Sequence, residues 1–231
     1  MRKDKNKKDP LICPRYWLSD FVRIDGGLKI LLFLRPIMHF EEGATHKVKG
    51  RVIVTCNHNS WVEAPTMMRI FLRRRIHFLA AKILIKGKKT EWFYKRMNCI
   101  IIDRHSKDFA ALRSAIRALN KERLLVIFPE GKLSEDGTNS DFKNGAALLS
   151  LQTKTPILPL YIQENKRGGR RTHVCVGNLI DPNVVGDGSK SKENQQLITD
   201  MIQNKTFEMK RKLNEKIEEC KKENKKMSRA L

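Results

Sequence analysis

RVIVTC at residues 51–56, running straight into NHNSWVE at 57–63, decides how this chain is read. The first six residues are mostly β-branched and lack clean polar alternation, which suits a strand buried on both faces. The same character recurs in CIIID (99–103), LLVIF (124–128), PILPLYI (156–162) and THVCVGN (172–178). Between these runs lie helical stretches at 64–74, 90–97, 107–121 and 143–152. In 107–121, Phe109, Leu112, Ile116 and Leu119 recur at helical spacing and form one apolar face. Strands alternating with helices predict an α/β fold: a mostly parallel β-sheet flanked by helices. The stretch from about 190 to 226 is charged, with sparse apolar positions at Leu197, Met201, Phe207, Leu213 and Ile217. It predicts a long, mostly exposed C-terminal helix.

Composition narrows the function. Hydrophobic residues are 40% of 231, enough for a full core. Lys and Arg number 47 against 25 acids, a formal charge of +22. Such an excess calls for an anionic partner: nucleic acid, an anionic membrane surface or a phosphorylated ligand. The five cysteines are an odd number without close pairing, which argues against a disulfide framework or zinc site and for a reducing compartment. The apolar run Leu28–Phe40 is cut by Lys29, Arg35 and Pro36, so no bilayer span is expected. Pro14, Arg15 and Asp20 break any signal-peptide core. The expected location is cytoplasmic, peripheral on the cytoplasmic face of a membrane.

Four regions are expected: a basic flexible arm (1–14), N-terminal helices (15–40), an α/β domain (41–190) and a charged C-terminal helix (191–231). Within the second region, Trp17, Leu18, Phe21, Ile24, Leu28, Leu31 and Leu32 keep helical spacing, interrupted by Gly26 and Gly27. The residues alone admit two readings, an interfacial membrane helix pair or terminal helices packed on the core.

Chemistry gathers where strands end. His58 follows the first strand, and Glu63 lies five positions on. A neutral imidazole with a carboxylate on its other nitrogen is a general base, or else a structural histidine at a strand end. Open α/β sheets collect ligands at the carboxyl ends of their strands. Arg104 leaves a strand there, suited to gripping phosphate or to a surface ion pair with Asp103 or Glu122. Pro129, Glu130 and Gly131 end another strand in a turn.

NHNSWVE, IIIDR, FPEG and PILPLYI occur in the order and approximate spacing of the four blocks of the glycerolipid acyltransferases, the 1-acylglycerol-3-phosphate acyltransferase superfamily. The chain resembles that family over roughly residues 15–215. Asn57, His58 and Ser60 match the block N-H-x-S-x-x-D, with Glu63 where the family usually has Asp. Phe128, Pro129, Glu130, Gly131 and Ser134 match the third block, and Phe142, Lys143 and Gly145 its F-K-x-G extension. Lys132 and Leu133 depart from the usual Thr-Arg.

The resemblance implies direct acyl transfer from a thioester, acyl-CoA or acyl-carrier protein, to the hydroxyl of a lysophospholipid. The most typical acceptor is 1-acylglycerol-3-phosphate, giving phosphatidic acid. His58 is then the base and Glu63 its orienting carboxylate. Arg104, Glu130, Gly131 and Lys132 would hold the acceptor phosphate, and Lys82, Asn57 and Ser60 would support the site or a developing oxyanion. No metal or cofactor is implied. The family fold carries an N-terminal two-helix membrane-docking motif, which matches residues 15–36. Two alternatives stay open: another acceptor, such as glycerol-3-phosphate or a lyso-aminolipid, and a basic nucleic-acid binder. Against the latter, aromatics are only 7% and no zinc, RRM or helix-turn-helix spacing occurs, so no nucleic-acid partner is expected.

Overall fold

The computed structural model describes residues 21, 34–58, 60, 62–103, 108–131, 142–163 and 172–230. The basic arm and, apart from Phe21, the docking segment up to residue 33 lie outside the described residues, as do Arg104, Lys132 and Ser134.

Seven strands form one sheet: β1 (Ile37–Phe40), β2 (Val52–Cys56), β3 (Ile76–Ala81), β4 (Cys99–Ile102), β5 (Leu124–Ile127), β6 (Ile157–Ile162) and β7 (His173–Val176). Their order is β1-β7-β6-β2-β5-β3-β4. Every pairing is parallel except β6 with β7. Among the described residues, five helices pack on it: α1 (Glu63–Ile70), α2 (Lys88–Arg96), α3 (Phe109–Asn120), α4 (Gly145–Thr153) and α5 (Lys192–Ala230).

β2 sits between β5 and β6, with Val54 opposite Val126 and Leu158. Successive strand residues point to opposite faces. Val52 and Val54 therefore pack with Met67 and Phe71 of the α1 segment. Ile53 packs on the other side with Ala115 and Leu119 of α3, Leu151 of α4, and Ile198 and Ile202 of α5. Two cores back to back explain why RVIVTC lacks polar alternation. α3 starts at an Asp108 cap, whose carboxylate accepts from the backbone N–H groups of Ala110 and Ala111.

Three sequence expectations change. Ile37–Phe40, assigned to the docking helices, is a strand pairing with β7. Its four residues followed Pro36 at the end of an apolar run and carried no alternation of their own. Ile76–Ala81 is a strand that sequence reading passed over; three arginines, Arg73 to Arg75, precede it and mask a short apolar signal. The last helix is only partly exposed: Ile198, Ile202, Met209 and Leu213 are buried, while Leu197 and Met201 face out. The buried stripe repeats every three to four residues, which a count of large apolar side chains along the helix misses. Among the described residues, no helix is long and apolar enough to cross a membrane.

β2 must end where its chain turns away toward α1, and a side chain takes over its pairing. Asn57 Nδ2 donates to the Ile162 carbonyl at 2.9 Å, and Ile162 N–H donates to Asn57 Oδ1 at 2.8 Å. Asn57→Ala leaves both buried backbone groups without that amide; each unmet group costs about 1–3 kcal/mol, and urea unfolding should register the loss. A second effect is pH-dependent. Burial pushes the His77 imidazole from 6.5 to about 4, with Lys121 and Arg75 adding to the drop. A depressed histidine stabilises the fold above its unfolded value, and that contribution fades as pH falls from 6.5 toward 4. Unfolding free energy of His77→Asn, measured across this window, should fall less steeply with acid than that of the parent.

Candidate active site

The turn after β2 brings His58 and Glu63 together. Glu63 opens α1, where the helix N-terminus favours an acidic side chain. Its Oε1 accepts from the Ser60 backbone N–H at 2.9 Å. Its Oε2 lies 2.7 Å from His58 Nδ1. A carboxylate only accepts, so Nδ1 carries the proton and Nε2 is left as the basic nitrogen. Ser60 Oγ accepts from Val62 N–H at 3.3 Å and closes the turn. Asn57 and Ser60 thus act as supports of the His58 loop.

Burial separates the pair's roles. The Glu63 side chain is 2% exposed and that of His58 20%. Phe128, at the end of β5, stacks on the imidazole with centroids 4.2 Å apart and planes 20° from parallel. The ring is thereby held at its edge by Glu63 and on its face by Phe128. Cys56 beneath them is buried, and its thiol is pushed well up by burial, with Glu63 and Glu130 adding to the rise.

A cavity of about 340 Å³ opens beside His58. Its walls are largely apolar: Met68 from the α1 face, Phe78 and Ala80 from β3, Leu84, and Phe93 and Tyr94 from α2. Phe128, Gly131 and Lys143 complete the end nearest the β5 turn. Gly131 has φ +70°, and a Cβ there would fall 3.1 Å from Lys143 Cε. Glycine thus satisfies both the left-handed turn and the close approach of the lysine stem. Lys143 N–H donates to the Pro129 carbonyl at 3.0 Å, tying the two segments together.

The structure gathers His58, Glu63, Asn57, Ser60 and Gly131 at one end of the sheet. Lys82 follows β3 at that end, and its Nζ pairs with Asp103 Oδ2 at 3.3 Å rather than lining the cavity. Sequence reading did not assign Phe128 a role or foresee the cavity walls. The walls come from separate elements, so no linear motif records them; FPEG was the one trace of Phe128. Among the described residues, no group of three or more His, Cys, Asp or Glu side chains is placed to hold a metal ion.

Known proteins resemble this chain in sequence and in fold. The Acyltransferase family model matches residues 37–163, more than half of the chain. A 1-acyl-sn-glycerol-3-phosphate acyltransferase of Bacillus subtilis is 26% identical over 62% of this chain and 71% of its own. One from Borreliella burgdorferi is 27% identical over 79% of this chain and 77% of its own. One from Cocos nucifera is 35% identical over 54% of this chain but 42% of its own length. The fold resembles the crystal structure of the 1-acyl-sn-glycerophosphate acyltransferase PlsC from Thermotoga maritima, with a TM-score of 0.59 and 22% identity over 85% of this chain and 81% of that one. The matched span holds both His58 and Glu63 and runs through the end of β6, and the chain belongs to the acyltransferase family, as an enzyme of its glycerolipid branch.

Proposed function

We propose that the protein transfers an acyl chain from a thioester, acyl-CoA or acyl-carrier protein, to the free hydroxyl of 1-acylglycerol-3-phosphate, giving phosphatidic acid. The observation that carries this is the buried Glu63 carboxylate 2.7 Å from His58 Nδ1, beside an apolar cavity. His58 Nε2 takes the proton of the acceptor hydroxyl, and the oxygen attacks the thioester carbonyl. Glu63 stabilises the imidazolium that forms. The tetrahedral intermediate then expels the thiolate, which takes the proton back from His58. No acyl-enzyme is needed, and the Ser60 hydroxyl is engaged with the Val62 N–H.

The cavity beside His58 suits the hydrocarbon of the acyl chain, since apolar walls accept it without stranding polar groups. The acceptor phosphate is assigned to the Glu130–Gly131 turn with Lys143 at the cavity end, joined by Arg104 and Lys132, which lie outside the described residues. A lysine there acts as a point charge rather than a bidentate fork. Lys82 is assigned a supporting place at the rim, its ammonium exchanging Asp103 for the developing oxyanion. The lipid nature of the acceptor and the +22 charge support action at an anionic membrane surface on the cytoplasmic side.

The test is an acceptor panel with labelled thioesters, read by mass spectrometry. It covers 1-acylglycerol-3-phosphate, glycerol-3-phosphate and lyso-aminolipids. His58→Ala should lower turnover by about 10²–10⁴ without unfolding the protein. Glu63→Asp, which supplies the family's usual residue, should keep most activity, and Glu63→Ala should not. Acylation of glycerol-3-phosphate alone would move the protein to a different step.

Cavity length makes a separate prediction. Ala80 is buried in the cavity wall, and Ala80→Leu fills part of that space. Donor preference should shift toward shorter chains by about tenfold in kcat/KM, measured across a thioester length series.

A further inference from the structure

The crossover joining β3 to β4 turns apolar side chains outward. Ile83 is 82% exposed, Trp92 50% and Phe93 48%. Ile83 sits in the 3-10 turn Lys82–Leu84, directly beyond the carboxyl end of β3. β2 and β3 both run parallel to β5, so this is the end of the sheet that carries His58. Phe93 is half-exposed and also lines the His58 cavity, as do Leu84 and Tyr94. The wall between cavity and surroundings is thus built from the same segment that exposes Ile83 and Trp92.

The charge around these side chains has one sign. Lys86, Lys88 and Lys89 are exposed and make no ion pair among the described residues. The one acid between residues 82 and 96, Glu91, is already held by Lys95 at 2.5 Å. Arg96 lies over the Trp92 ring, 5.6 Å from its centroid. Apolar tips and an indole amid lysines match the boundary between lipid headgroups and acyl chains: the apolar groups enter and the ammonium groups meet phosphate. A nucleic acid would use the lysines and leave Ile83 in water.

We infer that this crossover, residues 82–93, docks on an anionic phospholipid bilayer. Ile83 and Trp92 enter the headgroup–acyl boundary, and Lys86, Lys88 and Lys89 meet lipid phosphates. The crossover is a different stretch of chain from residues 15–36 and lies at the cavity wall. With the proposed acyl transfer, on which this last point rests, it lets lipid chains pass between leaflet and cavity at the Leu84, Phe93 and Tyr94 wall.

The experiment is sedimentation of the full chain with vesicles of phosphatidylcholine, alone or with phosphatidylglycerol. Ile83→Glu and the triple change Lys86→Glu, Lys88→Glu, Lys89→Glu should each weaken partition onto the anionic vesicles by at least about tenfold. Ile83→Leu should bind as the parent does. Melting temperatures should stay unchanged, because these side chains are exposed. In a Trp17→Phe, Trp61→Phe background, Trp92 fluorescence should shift to the blue on vesicles and be quenched by doxyl-labelled lipid. Parent-like sedimentation of both glutamate variants would overturn the inference. So would unquenched Trp92 on vesicle-bound protein, which would move docking elsewhere. Oligonucleotide binding lost with the lysines but not with Ile83→Glu, with vesicle binding intact in all variants, would overturn it as well. None of these readouts depends on acyl transfer, so failure of the acceptor panel and failure of docking are separate results.

Discussion

A carboxylate placed in a protein interior must have both oxygens met, and the geometry around Glu63 follows from that requirement. His58 meets one oxygen and the Ser60 backbone N–H the other. Those two contacts need a turn that brings Glu63 back to His58, five positions earlier, just past the end of β2. The turn in turn needs β2 to stop cleanly, which Asn57 achieves by carrying the strand's last pairing on its own side chain. Glu63 also opens α1, so the helix that covers one face of β2 begins at the residue that holds the His58 ring. The His58–Glu63 pair, strand end and helix start form one unit.

The chemistry near this unit divides by polarity. On one side are the cavity's apolar walls, with Met68, Phe78 and Phe93, suited to hydrocarbon. At the end of the same cavity nearest the β5 turn are Gly131 and Lys143, where charge can be met. His58 lines the same cavity, stacked on Phe128. The proposed acyl transfer uses that division, because its hydroxyl would join a hydrocarbon donor to a phosphorylated acceptor. A base of the same geometry in a wholly polar cleft would have no place for the chain.

Much of this was legible from residues in order. Strands buried on both faces announce themselves by lost alternation, so β2, β5 and β6 were readable, as were the helices that follow them. His58 and Glu63 were readable as a pair because both belong to one short turn. β1 and β3 were not: each is short and flanked by proline or arginine, and each becomes a strand through pairing with a partner remote in the chain. The burial of Ile198, Ile202, Met209 and Leu213 likewise depends on where α5 lands, on the α4 face and against β6 and β7.

By itself, then, the sequence determined the α/β class, the central strands and the His58–Glu63 pair, because these rest on local patterns and short separations. Only the tertiary structure decided the cavity, the Phe128 stack, the Asn57 clamp on Ile162 and the outward face of Ile83 and Trp92. The reason is geometric: each is set by residues from different elements whose distance in space bears no relation to their distance along the chain. Asn57 and Ile162 are 105 positions apart and still share two hydrogen bonds.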